Sequence, residues 1–238
     1  MKILPEVSWG SPVIKLLSYI NDIKNNCKTI VVIRHSAREE PKDVTKVFKA
    51  PLTQLGKDAA LEFGNNLPNS RTYQIYHSTI DRCKETAKYI EKGIKNRAGK
   101  TIFQGDLETL TTIKCSREKF IEYINRDSDL FVDYWLAGHY PQEEIEPAID
   151  LAQRTAFKIT QNSLETETNI VDIYVTHDFH ILVYLFYWAG ILSTAQWIQY
   201  LDGFILQFRD SKLHFYYNAG KKEVNFPHWW KYIPFTKC

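Results

Sequence analysis

Short runs of β-branched residues alternate with helix-like segments, and this alternation narrows the possible folds more than any other feature of the chain. Residues 29–33 and 170–176 have the composition of buried parallel strands. Between them, Leu55, Ala59, Phe63 and Leu67 recur every four residues behind an N-cap threonine, Thr53. Strands that alternate with helices form a mostly parallel sheet covered by helices. We therefore predict an α/β three-layer sandwich with a mostly parallel central sheet.

The remaining predicted elements extend this pattern along the chain. Further helices are predicted over residues 13–25, 80–90, 145–164 and 181–188, and further strands over residues 74–77 and 102–103. Residues 34–51 are polar and lack periodicity, which indicates a loop. Two apolar runs, 203–208 and 213–217, flank the polar residues 209–212 and predict a hairpin.

Charge is distributed unevenly between three segments of the chain. The formal charge of the whole chain is +2, but residues 1–103 carry +8, residues 104–146 carry −6 and residues 147–238 carry zero. The acidic stretch interrupts the alternation of strands and helices. We therefore predict a single domain over residues 1–238, in which residues 104–146 form a small helical cap.

Composition argues against several classes of function. A chain so close to neutral lacks the dense basic face expected of a nucleic-acid or membrane-surface binder. The ten glycines form neither G-x-G-x-x-G nor G-x-x-x-x-G-K-[ST], which disfavours a glycine-rich nucleotide loop. The four cysteines form no C-x-x-C pair, so neither a thiolate zinc site nor a disulfide framework is indicated. Without a signal-like start or a long apolar run, a cytoplasmic location is predicted.

Polar residues follow three of the predicted strands, at the edge where open α/β sheets bind their ligands. Arginine suits phosphate because its planar guanidinium donates paired, charge-assisted hydrogen bonds. Histidine serves as a nucleophile or proton carrier near neutral pH. The pattern predicts a phosphate pocket that is built from side chains and carries its own nucleophile. The residues at these strand ends are Arg34, His35, Arg38, Ser78, Arg82, His177 and Asp178.

Four motifs in this set resemble those of the histidine phosphatase superfamily, which includes phosphoglycerate mutases, acid phosphatases and phytases. The R-H-G motif of the family occurs here as Arg34-His35-Ser36, and its L-T-x-x-G motif occupies residues 52–56. Its S-x-x-x-R-x-x-x-T-A helix occupies residues 78–87, and its second histidine lies within residues 175–178. The matches cover residues 29–93 and 170–190 in the family's order.

The resemblance implies a phosphomonoester hydrolase that acts through a phosphohistidine. His35 would attack phosphorus, while its other ring nitrogen donates to a backbone carbonyl or a carboxylate. Arg34, Arg82 and His177 would stabilise the charge on the phosphoryl oxygens. Arg38 would add a further phosphate contact. No cofactor is implied, because histidine and arginine do the work that metal ions do elsewhere.

Ser36 stands where the family has glycine, and its small side chain is expected to be compatible with activity and with phosphate contact.

The proton donor is Asp178 if the chain follows the acid phosphatase and phytase branch, or Glu108 if it follows the mutase-like branch. Asp178 is preferred, because Arg38 and residues 197–217 resemble the first branch. Two alternatives stay open: Asp178 caps the next helix, and Arg38 pairs with its glutamate neighbours.

The expected partner is a small phosphomonoester, and no nucleic acid or membrane is expected. A cap that selects a multiply phosphorylated ligand needs cations, so an acidic cap favours a modestly charged substrate. The pair His177 and His180 has metal-ligand spacing, but no third ligand is in view. Two other functions remain as alternatives: a phosphomutase of the same superfamily, and a non-catalytic binder of phosphorylated ligands. The sequence does not predict an oligomeric state.

Overall fold

The computed structural model describes residues 2–23, 27–111, 113–164, 167–192 and 197–230. The strands are β1 (Thr29–Arg34), β2 (Thr72–His77), β3 (Lys100–Asp106), β4 (Ile170–Thr176), β5 (Gly203–Arg209), β6 (Lys212–Tyr217) and β7 (Gly220–Asn225). The helices are α1 (Gly10–Asp22), α2 (Gln54–Asn65), α3 (Asp81–Asn96), α4 (Arg117–Asp127), α5 (Phe131–Leu136), α6 (Ala148–Leu164) and α7 (Asp178–Ala189).

Within the described residues, the strands form one seven-stranded sheet in the order β3-β2-β4-β1-β5-β6-β7. The strands β3, β2, β4 and β1 run parallel, and β5, β6 and β7 add to β1 as an antiparallel extension. The predicted α/β sandwich is confirmed. Its parallel half brings the carboxyl ends of β1, β2 and β4 to one edge.

Alternating side chains of β1 divide the core into two layers. Ile30 and Val32 face the cluster that includes residues of α4, α5, α6 and α7. Val31 and Ile33 face the cluster that includes residues of α1, α2 and α3. Since all four side chains are fully buried, the β-branched run of β1 forms the centre of the molecule.

Several element boundaries differ from those predicted. The structure places residues 104–106 in β3, so the segment between β3 and α6 begins after the predicted start of the cap. A 3₁₀ helix, Val44–Lys49, occupies part of the predicted loop, and β7 was not predicted at all. Cys27 is disulfide-bonded, whereas the cysteine spacing indicated no disulfide. Among the described residues, no helix has the length and apolar character needed to cross a membrane.

Candidate active site

The ends of β1, β2 and β4 are tied together by backbone hydrogen bonds that continue the parallel ladder. The His35 N–H donates to the Thr176 carbonyl over 2.9 Å, and the Ser78 N–H donates to the Val175 carbonyl over 2.9 Å. This register places His35, Ser78 and His177 side by side, as the strand-end pattern predicts.

His35 is buried, and both of its ring nitrogens are engaged. Its Nδ1 lies 2.8 Å from the Ser36 carbonyl oxygen, which can only accept, so Nδ1 carries the proton. The lone pair of Nε2 therefore accepts from Arg82 Nε over 2.9 Å. Burial first, and then the charges of Arg82 and Arg34, hold the pKa of His35 well below its usual value. The imidazole is thus neutral, with its nucleophilic lone pair on Nε2.

Arg82 lies in the first turn of α3 and connects the two histidines. Its Nη2 donates to His177 Nδ1 over 3.2 Å, while its Nη1 donates to the carbonyls of Val47 and Phe48 over 3.2 and 3.1 Å. Burial lowers the pKa of Arg82, although a guanidinium stays charged at physiological pH. A fixed positive charge therefore lies between the two imidazoles, whose centroids are 5.5 Å apart.

His177 is oriented by a chain of hydroxyl groups behind it. Because Nδ1 accepts from Arg82, its Nε2 donates to Ser78 Oγ over 2.9 Å. Thr111 in turn donates its hydroxyl to Ser78 Oγ over 2.8 Å. Burial, followed by the charge of Arg82, holds the pKa of His177 well below its usual value. His177 is therefore neutral and fixed in one tautomer.

Arg34 reaches the same edge but is paired with Asp178, the first residue of α7. The Nη2 of Arg34 lies 2.9 Å from Asp178 Oδ2, and its Nη1 donates to the Ile198 carbonyl over 2.7 Å. Trp197 Nε1 donates to the same carboxylate over 3.1 Å, and the ring of Tyr200 lies under the guanidinium. Within the described residues, the buried Nε of Arg34 has no hydrogen-bond partner.

Arg38 lies at the margin of this cluster. Its Nη1 donates to the Glu39 carbonyl and to Glu40 Oε2, the latter over 3.0 Å. Its positive charge nevertheless contributes to the lowered pKa of His35. The pairing with a neighbouring glutamate is therefore present, and the phosphate contact of Arg38 stays a prediction.

Within the described residues, neither the Ser36 hydroxyl nor the Glu108 carboxylate forms a hydrogen bond with the side chain of His35 or His177. The buried Ser36 hydroxyl donates to the Gly56 carbonyl over 2.7 Å, so it is engaged with α2. Glu108 lies exposed in a short 3₁₀ helix after β3, and its carboxylate has no hydrogen bond within the described residues. The structure therefore brings together Arg34, His35, Arg82, His177 and Asp178, but neither Ser36 Oγ nor Glu108.

The 52–56 motif fixes the loop that follows His35. Thr53 caps α2 by accepting from the Gly56 N–H over 2.9 Å, and its own N–H donates to the Ala37 carbonyl over 3.0 Å. A Cβ at Gly56 would lie 2.0 Å from the Ala37 oxygen. Glycine is therefore required, because the loop backbone passes directly over the start of α2.

Sequence reasoning missed several residues that shape the site. Thr111, Trp197, Tyr200 and the carbonyls of Val47 and Phe48 meet the motif residues only through tertiary contacts, and no local pattern marks them. Within the described residues, no group of three histidine, cysteine or carboxylate side chains could hold a metal ion, so His177 and His180 have no third ligand there.

Residues 30–203 match the family model of the histidine phosphatase superfamily (branch 1). The chain belongs to this superfamily. Solved structures with the same fold include Bacillus stearothermophilus YhfR, at 21% identity and a TM-score of 0.54 over 75% of this chain and 90% of that one.

Two other solved structures of this fold have lower identity. One is a phosphoglycerate mutase from Bacillus anthracis, at 14% identity and a TM-score of 0.53 over 84% of this chain and 94% of that one. The other is a mycobacterial glucosyl-3-phosphoglycerate phosphatase, at 11% identity and a TM-score of 0.57 over 83% and 96%. At these identities the likeness concerns the fold. No curated protein matches the sequence.

Proposed function

We propose that this protein is a phosphomonoester hydrolase that acts through a phosphohistidine on His35. One observation carries the proposal. His35 is neutral, its proton is held on Nδ1 by the Ser36 carbonyl, and its Nε2 lone pair faces the buried guanidinium of Arg82. A neutral nucleophile beside a fixed cation suits attack on an anionic phosphoryl group.

Substrate binding begins with an exchange of hydrogen-bond partners. The phosphoryl group enters between His35 and Arg82, and its oxygens replace Nε2 of His35 as acceptors for Arg82. The unpartnered Nε of Arg34 supplies another donor, and Arg38 faces a remaining oxygen. His177 donates to the phosphoryl group from Nδ1 once its proton is on that nitrogen, with Ser78 Oγ then donating to Nε2. Three guanidinium groups then share the charge that grows on the phosphoryl oxygens.

The reaction proceeds in two displacements. First, the monoanion of the substrate passes its proton to the Asp178 carboxylate as Arg34 turns to the phosphoryl oxygens. His35 Nε2 then forms a bond to phosphorus while the ester P–O bond breaks, and Asp178 gives this proton to the leaving oxygen. Second, a water that transfers its proton to Asp178 attacks phosphorus, the P–N bond breaks and phosphate leaves. His35 returns to the neutral imidazole.

Asp178 fits the role of proton donor better than Glu108 does. It follows His177 directly and lies within an ion-pair distance of Arg34, so it belongs to the cluster that would hold the phosphoryl group. Glu108 is exposed and contacts none of these residues. When phosphate draws Arg34 away, the Asp178 carboxyl becomes free to face the leaving oxygen.

We further propose a small substrate of modest charge and no cofactor, nucleic acid or membrane partner. The proposed cap, residues 104–146, carries a formal charge of −6 and would repel additional phosphate groups. A cytoplasmic location stays a prediction, and the disulfide at Cys27 is more typical of an oxidising compartment. Comparing the free and bonded state of Cys27 in protein isolated from its native cells tests this point.

Hydrolysis of p-nitrophenyl phosphate by the wild type and His35→Ala tests the proposed function. We expect wild-type turnover with continuous release of phosphate, and a loss of at least about 10³-fold in His35→Ala. Phe157→Ala, an exposed change on α6, serves as the control for expression and purification. Turnover retained by His35→Ala would contradict the proposal. A burst of about one p-nitrophenol per protein without continuing release of phosphate would favour a mutase, and binding without turnover a non-catalytic role.

A further inference from the structure

Four aromatic side chains, Phe48, Phe120, Phe179 and Trp197, form a connected row that we call the aromatic arc. The ring centroids of Phe48 and Phe120 are 6.1 Å apart, those of Phe120 and Phe179 are 6.0 Å apart, and those of Phe179 and Trp197 are 5.7 Å apart. All three pairs meet edge to face, the arrangement favoured by aromatic quadrupoles. Phe120 lies on α4 and thus joins the proposed cap to the core.

The aromatic arc is attached to the catalytic cluster at both ends. At one end, the backbone carbonyl of Phe48 accepts from Arg82 over 3.1 Å. At the other, Trp197 donates its indole N–H to Asp178, and Phe179 follows Asp178 in α7. The arc therefore runs from the arginine that would hold phosphate to the carboxyl that would protonate the leaving oxygen.

The core does not fully bury the rings of the aromatic arc. Phe48, Phe120 and Phe179 are half-buried, and 40% of Trp197 is exposed, whereas the neighbouring Phe131 is almost completely buried. Apolar surface that stays open beside a polar cluster gains free energy when a ligand covers it. The three phenylalanine rings carry no hydrogen-bonding atom, so they offer nothing to a hydroxylated group.

We propose that the aromatic arc selects phosphomonoesters whose leaving group is aromatic. The inference rests on the proposed function, because the leaving oxygen must face Asp178 and the organic group attached to it then lies against Phe179 and Trp197. An aromatic group in that place covers apolar surface of Phe179 and Trp197 that is partly exposed in the structure. A small hydroxylated group leaves them exposed and loses hydrogen bonds to water.

A matched substrate series tests the selection in the wild-type protein. Benzyl, cyclohexylmethyl and 2-hydroxyethyl phosphate are all esters of primary alcohols, so their leaving oxygens differ far less than those of aryl and alkyl esters. We expect kcat/KM for benzyl phosphate to exceed that for 2-hydroxyethyl phosphate by about tenfold or more, with the cyclohexylmethyl ester between them. Equal values for the three esters, or a preference for the hydroxylated one, would overturn the inference.

Variants of Phe120 separate selection from simple packing of the cap. Phe120→Ala is expected to lower kcat/KM for benzyl phosphate by about fivefold to tenfold and to change that for 2-hydroxyethyl phosphate less than twofold. Phe120→Leu, which keeps apolar volume, gives the same comparison if the alanine variant is too unstable. Phe157→Ala removes an exposed ring of α6 outside the arc and should change neither value. An equal loss for both esters would show that Phe120 only packs the cap.

Binding of phosphonates distinguishes failure of this inference from failure of the proposed function. Benzylphosphonate and 2-hydroxyethylphosphonate cannot be hydrolysed, and calorimetry measures their affinity directly. Tighter binding of benzylphosphonate without turnover of any ester would reject the hydrolase and support recognition by the arc. Turnover of all esters together with equal binding of the two phosphonates would support the hydrolase and reject the arc.

Discussion

The surroundings of His35, rather than a neighbouring base, would prepare its imidazole for the proposed attack on phosphorus. Burial and the charges of Arg82 and Arg34 remove the competing proton from Nε2, because they lower the pKa of the ring. The Ser36 carbonyl fixes the remaining proton on Nδ1. Burial and the charge of Arg82 likewise keep His177 neutral, and its Nε2–H donates a hydrogen bond to Ser78 Oγ. Each histidine thus has one defined tautomer before any substrate is bound.

The choice of proton donor is testable with two single substitutions. We expect Asp178→Asn to lower kcat for an alkyl phosphate by about 10²-fold or more, because a poor leaving oxygen needs the proton. For p-nitrophenyl phosphate, whose leaving group departs as an anion, the rate of the first displacement should fall much less. Glu108→Gln, at an exposed residue of the 3₁₀ helix after β3, should change both rates less than twofold. The reverse ranking of the two variants would assign the role to Glu108.

At the residue scale, local spacing predicts most of the side chains that the structure brings together at the candidate site. Arg34, His35, Arg82 and His177 all fall in motifs at strand ends or in the first turn of a helix. Trp197 and Tyr200 could not be predicted, because they approach Asp178 and Glu40 from distant parts of the chain through folding of the whole domain. The engagement of the Ser36 hydroxyl with Gly56 likewise depends on backbone geometry that its neighbours in sequence do not reveal.

Among the elements, the start of α2 has the most direct effect on the site. Gly56 lies so close to the Ala37 carbonyl that the loop after His35 rests on the first turn of the helix. Thr53 stabilises the same contact: its N–H donates to the Ala37 carbonyl, and its side chain caps the helix by accepting from the Gly56 N–H. Movement of α2 would therefore move the backbone that holds the proton of His35.

Gly56→Ala tests this coupling, with Gly64→Ala as a matched control. At Gly64, near the other end of α2, a Cβ would lie 2.2 Å from the Ile90 carbonyl, a contact about as close as that at Gly56. Both variants should lose about 1–3 kcal/mol in free energy of unfolding, measured in denaturant. Only Gly56→Ala should also lower kcat under conditions where the protein is folded. An equal effect of both variants on kcat would argue against the coupling.

Periodicity predicted the interior elements well and the edges of the sheet poorly. β1 and β4 are buried on both faces, so their sequences are β-branched or apolar apart from Arg34 at the end of β1 and Asp172 of β4, which pairs with Lys28. The edge strands β3 and β7 are partly exposed along their length. β3 contains lysine, glutamine and aspartate, and β7 contains lysine, glutamate and asparagine. Their strand conformation comes from pairing with β2 and β6, and pairing of this kind leaves little trace in a single segment.

For the whole molecule, the buried histidines connect stability with pH. Burial lowers the pKa of His35, His177 and His180, the last to about 3, whereas histidine in an unfolded chain titrates near 6.5. Below about pH 6.5 the unfolded chain therefore binds protons that the folded chain does not. The stability contributed by these neutral histidines is complete above pH 6.5 and is lost as the pH falls towards 3.

Two buried carboxyls act in the opposite direction over part of this range. Burial raises the pKa of Asp172 and of Asp202 to about 6, so each takes up a proton in the folded protein before it does so in the unfolded chain. Their contribution is greatest at low pH and is lost as the pH rises through about 6. Between about pH 4 and 6 the two carboxyls therefore offset part of the stability that the histidines lose as the pH falls. Between about pH 6 and 6.5 they do not.

His180→Leu isolates one histidine from this balance. We expect the wild type to lose stability relative to the variant by about 1.4 kcal/mol for each pH unit below 6.5, because the variant no longer binds that proton when it unfolds. Denaturant unfolding of both proteins at several pH values between about 7.5 and 5 measures the difference. A difference that does not change with pH would contradict the lowered pKa of His180.

The central claim is that His35 becomes phosphorylated during turnover, and trapping of the phosphoenzyme tests it most directly. Wild type and His35→Ala are mixed with substrate, quenched in base to preserve phosphohistidine, digested and analysed by mass spectrometry. The account predicts one added phosphoryl group on His35 in the wild type, formed and lost at rates compatible with kcat, and none in the variant. Full turnover without phosphorylated His35, or a phosphoryl group on another residue, would contradict it.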